Sequence, residues 1–190
     1  RIHQGDEGYY AHKRLLDDFI QFLSNNIFAC NRKRDNGEPF YTSEEKAALR
    51  DKQIAFLHLM FEMDDFGFYH NHLAETHSLQ AAYYAKNQDT SHVFSHLFKA
   101  AEHTIGFLAY AKESEFVHTS LLLRGRKSDG TEFTTSDSDN DAQVLLNRMS
   151  DKVYDFVRDT EEFRRIAEML ALGYTVKVKG IGAFSTSLGV

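Results

Sequence analysis

Phe66–Tyr110 reads FGFYHNHLAETHSLQAAYYAKNQDTSHVFSHLFKAAEHTIGFLAY, and its reading decides the fold. Six of the chain's ten histidines fall inside it: His70, His72, His77, His92, His96 and His103. Two helical patterns flank the polar segment Asn87-Gln88-Asp89-Thr90. The first spans about Phe68 to Lys86. The second starts after Asp89 or Thr90, both good N-caps, and runs to about Lys112.

On a wheel of 100° per residue, the second helix places Phe94, Leu97, Phe98, Ala101, Ile105 and Leu108 on one side. His92, His96 and His103 then fall at about 160°, 200° and 180° from Phe94, opposite that stripe. Three aligned histidines there are not fillers of the main core.

Upstream, Leu15, Leu16, Phe19, Ile20, Leu23 and Ile27 recur at threes and fours, which predicts a helix from about Gly8 to Ala29. Arg32, Lys33 and Arg34, beside its C-terminus, suit the helix dipole. Asn36-Gly37 and Pro39 signal a turn. Thr42 and Glu45 form a capping-box pattern, so the next helix starts near Ser43. Gly67 is expected to break it from the Phe68–Lys86 helix.

Downstream the character changes. Phe116 to Thr135 predicts a β-hairpin turning at Asp129-Gly130. Ser136 to Asp141 reads as a solvated acidic linker, lacking the glycine and terminal Glu of an EF-hand loop. Ala142 to Leu172 is helical, with a possible split where Thr160 caps a last helix that turns Phe163 and Ile166 inward. Gly173 reads as its stop. Tyr174 to Lys179 alternates apolar and polar and predicts a strand. The fold class expected is α+β, mainly α: an antiparallel helical bundle over 8–112, then a hairpin, a further helix and a C-terminal strand over 113–190, in a single domain spanning 1–190.

Composition narrows the function classes. Apolar residues make up 42%, enough for a packed core. A net charge of -6 argues against a nucleic-acid-binding surface for the whole domain. The single cysteine, Cys30, cannot form an internal disulfide, which points to a cytoplasmic setting. No apolar run is long enough to span a membrane. Cys30 reads as a small buried hydrophobe. No Gly-x-Ser-x-Gly and no Gly-rich phosphate loop occurs.

The remaining chemistry lies with the histidines. His92 and His96 are four apart, so both can reach one ion from a helix surface. His103 lies roughly 10 Å further along the axis and cannot share that first shell. His72 and Glu75, on the neighbouring helix, are the candidates to complete a metal site. The leading expectation is nevertheless a non-enzymatic binding or assembly protein with no cofactor, acting as a homo-oligomer or with a protein partner. A homodimer would use the two central helices, with Phe107 and Tyr110 near the histidine line. The alternative is a metal-binding helical bundle, an enzyme in one version, holding a divalent metal through His92, His96, His72 and Glu75.

Overall fold

The structure is a computed structural model that describes residues 14–15, 17–19, 21–22, 34–133 and 141–179. Its helices are α1 (Ser43–Met60), α2 (Tyr69–Lys86), α3 (Thr90–Tyr110), α4 (Asp141–Met149) and α5 (Glu161–Lys179). Two short strands, β1 (Phe116–Val117) and β2 (Lys127–Ser128), separate α3 from α4. The expected α+β, mainly helical class holds. Cys30, the Arg32-Lys33 pair and most of the 136–141 linker lie outside the described residues. Of the helix expected over 8–29, the described residues 14, 15, 17–19, 21 and 22 are helical. They touch the bundle where the Phe19 ring lies tilted 4.2 Å from the Phe56 ring and Asp17 accepts a hydrogen bond from Tyr69 Oη at 2.6 Å.

Local signals set the helix starts. Thr42 Oγ1 accepts from the Glu45 N–H at 3.1 Å, and the Glu45 carboxylate accepts from the Thr42 N–H at 2.8 Å. This reciprocal capping box satisfies two otherwise orphaned donors. Asp89 caps α3 by accepting from the His92 N–H at 3.2 Å. Thr160 caps α5 by accepting from the Phe163 N–H at 3.3 Å, and Phe163 and Ile166 are buried as expected. Between α1 and α2 the chain reverses through Asp64 (φ 56°) and Gly67 (φ 53°), while Phe61 and Phe66 turn fully inward.

α3 is the hub. One side carries Val93, Leu97, Ala100, Ala101 and Leu108 into a core shared with α4 and α5. Leu145 and Met149 come from α4, and Ile166 and Leu170 from α5. Each buried aliphatic side chain contributes about 1.5–3 kcal/mol. The stripe is rotated from the wheel's expectation: Phe98 is exposed and Ala100 is fully buried. A smaller core joins Leu57, Phe61, Phe66, Tyr69, Leu73 and Leu123 at the α1–α2 junction.

The structure corrects the downstream reading twice. β1 and β2 pair antiparallel, Phe116 opposite Ser128 and Val117 opposite Lys127, so the hairpin exists. Its connection is residues 118–126, with a 3₁₀ turn at Leu121–Leu123 and Gly125 at φ 78°. Asp129-Gly130 is not the turn. Gly130 opens a second 3₁₀ turn and donates its N–H to the Glu113 carbonyl at 2.8 Å. A Cβ at Gly130 would lie 1.9 Å from the Tyr110 carbonyl oxygen, so this glycine serves close backbone approach.

The second correction concerns Tyr174–Lys179, expected as a strand. It is the last part of α5, which runs through Gly173 without stopping. Helix propagation adds a hydrogen bond for every residue fixed, and an interior glycine costs only about 1 kcal/mol. The described strands sit far back in the sequence, and the alternation here found no strand partner among them.

The connection 118–126 is tied to the α1–α2 junction by two carboxylates. Asp65 accepts from the Thr119 and Ser120 N–H groups and from Ser120 Oγ. Glu62 accepts from the Leu121 N–H, and the Met63 N–H donates to Ser120 Oγ at 3.1 Å. His118, buried beside Asp65, has its Nδ1 3.1 Å from the Asp65 carbonyl oxygen.

Candidate functional site

Beyond the exposed His92, the histidine side of α3 does not face water. It packs against α2, and both helices repeat polar rings at intervals of seven. α2 offers His70, His77 and Tyr84; α3 offers His96 and His103. Seven residues are two turns, roughly 10.5 Å, so one face of each helix keeps returning to the same line. Because the helices are antiparallel, His70 meets His103 and His77 meets His96. In both pairs the Nδ1 atoms are 2.9 Å apart. One ring of each pair donates the shared hydrogen and the other accepts it, so each pair contains one Nδ1–H and one bare Nδ1.

The layers join into a continuous seam. The His77 and His103 rings stack at 5.7 Å and 10°. Tyr84 stacks on His96 at 5.4 Å and on His92 at 4.5 Å. His92 Nδ1 lies 2.8 Å from the Asp89 carboxylate. At the other end His58, from α1, lies 6.3 Å from His103 and stands edge-on to Phe66.

Gly106 makes room for the first layer. A Cβ there would fall 2.6 Å from His70 Cε1 and 2.7 Å from its Nδ1. The bare α3 backbone is therefore a notch that receives the His70 imidazole. Beside the second layer, Gln80 donates through Nε2 to the Ala47 carbonyl and to Asp51, which anchors α1.

Burial favours the neutral imidazoles. It pushes His70 down to about 4, against the pull of Asp64. His77 and His103 go down to about 3, by burial first and then by neighbouring imidazoles and Lys99. Burial lowers His96 as well, with Asp51 opposing. His77 is 5% exposed, and its Nε2 has no hydrogen-bond partner among the described residues. A buried polar atom of that kind costs about 1–3 kcal/mol.

The four candidate ligands named from the sequence are dispersed. His92 and His96 each stack on the Tyr84 ring. His72 stacks on Tyr69 at 5.8 Å and is pushed down by burial. Glu75 pairs with Arg148 of α4. Among the described residues no three His, Cys, Asp or Glu side chains gather into a group able to hold a metal ion. The rings expected to border a dimer, Phe107 and Tyr110, are buried. What the wheel of one helix missed is the pairing. Its signal is the seven-residue spacing on both helices, visible only when the two are read in opposite directions. No protein-family model matches the chain, nor does any curated protein or solved structure with which it was compared.

Proposed function

We propose that this chain is a non-enzymatic binding protein whose ligand is held at the histidine seam between α2 and α3. The observation that supports it is the paired layers themselves. Four half-buried or buried imidazoles occupy helix-facing positions that aliphatic side chains would fill at no desolvation cost. Each paired ring spends its Nδ1 on another imidazole rather than on a nucleophile, which suits holding a ligand better than acid–base chemistry. Side chains kept against stability mark places where function shapes the fold.

The test is a stability measurement on paired replacements. Exchanging both partners of a buried hydrogen bond for apolar groups of similar shape is close to neutral or stabilising. His77→Leu with His96→Leu is therefore expected to keep or raise the melting temperature. A loss of several degrees in that variant would make the seam a structural device and remove this reading.

Assembly is the second reading, favoured by a different observation. Met63, Leu121 and Leu122 are 62%, 66% and 59% exposed, on two stretches joined by the Met63–Ser120 and Glu62–Leu121 hydrogen bonds. The occupant it names is a second copy of this chain, related by a two-fold axis.

A further inference from the structure

A cleft runs between α2 and α4, apart from the histidine seam, and we infer that it binds a small zwitterionic α-amino acid. α2 lines it with Asn71, Glu75 and Ser78, α4 with Asp141 and Arg148, and α3 with Thr104. With Ala74 on α2 and Val144 and Leu145 on α4, the lining positions of each flanking helix form one face, spaced by three, four and seven. The space amounts to about 290 Å³ and is partly open to solvent. Pockets for drug-sized ligands run to roughly 300–1,000 Å³, so the occupant here is smaller than those.

The hydrogen-bonding capacity of the lining divides into two sets. The first set donates. Arg148 gives Nη1 to the Glu75 carboxylate, and the same Nη1 lies 3.5 Å from Ser78 Oγ. Its Nε and Nη2 donate to no described residue, and a guanidinium edge of that kind matches the two oxygens of a carboxylate. Ser78 is only 4% exposed, and its hydroxyl hydrogen meets no acceptor among the described residues. The second set accepts. Thr104, 3% exposed, gives its hydroxyl hydrogen to the Ala100 carbonyl at 2.8 Å, which leaves Oγ1 with lone pairs alone. Glu75 meets Arg148 through Oε2, so Oε1 remains, and Asp141 adds a second carboxylate. An ammonium group carries three hydrogens and suits these acceptors. Two carboxylates against one guanidinium leave the lining with a net negative charge, which disfavours a simple anion. A zwitterion answers both sets at once, its carboxylate on Arg148 and Ser78 and its ammonium on Glu75, Asp141 and Thr104. Ala74, Val144 and Leu145 supply apolar wall for a short aliphatic side chain.

The experiment titrates L-alanine into the full chain, with calorimetry for affinity and amide chemical shifts for location. The expected result is saturable binding of one molecule, with shifts at Ser78, Thr104 and Val144 and none at the exposed His92. Acetate and ethylamine, each carrying one charge of the zwitterion, are expected to bind at least about tenfold more weakly. Arg148→Gln is expected to lose about tenfold in affinity for L-alanine, and Ser78→Ala roughly fivefold. The Arg148–Glu75 pair is 42% and 47% exposed, so breaking it leaves the fold in place. Affinity for L-alanine weaker than roughly 10 mM, or shifts confined to residues outside the cleft, overturns the site. Acetate or ethylamine binding as tightly as L-alanine overturns the zwitterion, and so does unchanged affinity in both variants.

Discussion

Gly106→Ala is the sharpest test of how the seam is built. Alanine is the better helix former by about 1 kcal/mol, so on an isolated helix the change would stabilise. Here the new Cβ would lie 2.6–2.9 Å from three atoms of the His70 ring. Ordinary contact requires roughly 3.5–4 Å, so the imidazole must retreat by about 1 Å. A retreat of that size stretches the 2.9 Å His70–His103 hydrogen bond beyond its useful range. Losing the bond costs about 1 kcal/mol, and overpacking a filled interface costs about 1–3 kcal/mol. Against the propensity gain, the net expectation is a destabilisation of roughly 1–3 kcal/mol. Urea unfolding followed by circular dichroism measures it, and a double-mutant cycle with His70→Ala isolates the cause. With the ring removed the clash disappears, so Gly106→Ala is expected to become neutral or stabilising in the His70→Ala background. A coupling below about 0.5 kcal/mol, or a single variant more stable than the parent, would refute the notch.

Two further outcomes follow from the same structure. Unfolded histidine titrates near 6.5, while burial holds folded His70 at about 4 and His77 and His103 at about 3. Between those values the unfolded chain binds more protons, so stability is complete above about pH 6.5 and falls as the pH drops from there toward the folded values. The facing groups do not cancel this: Asp64 and Asp51 favour protonation, His58 and Lys99 oppose it, and burial outweighs them. One ring loses about 1.4 kcal/mol per pH unit, so the coupled set is expected to lose roughly 2–4 kcal/mol by pH 5.5; a flat melting temperature from pH 7.5 to 5 would show that the rings protonate in place. For the exposed apolar side chains, sedimentation equilibrium at high micromolar concentration is expected to show a dimer that Leu121→Asp with Leu122→Asp converts to monomer, and a parent sedimenting as a monomer sinks the assembly reading.

The sequence by itself determined the features that rest on neighbouring residues. Helix starts at Ser43 and Thr90 follow from Thr42, Glu45 and Asp89, whose side chains cap donors three residues away. The break at Gly67 and the inward turn of Phe163 and Ile166 were legible for the same reason. Asp129-Gly130 and Tyr174–Lys179 were not. A hairpin signal and an alternating pattern are local, whereas the need for a glycine against the Tyr110 carbonyl, and the presence of a pairing strand, are set by distant chain. The histidines divide in the same way. Periodicity placed His92, His96 and His103 on one line of α3 but left that line facing water, because one helix carries no information about what covers it. Only the tertiary structure, by laying α2 antiparallel with His70 on His103 and His77 on His96, turned a polar face into a buried seam. Burial and pairing there, not residue type, decide which imidazoles stay neutral.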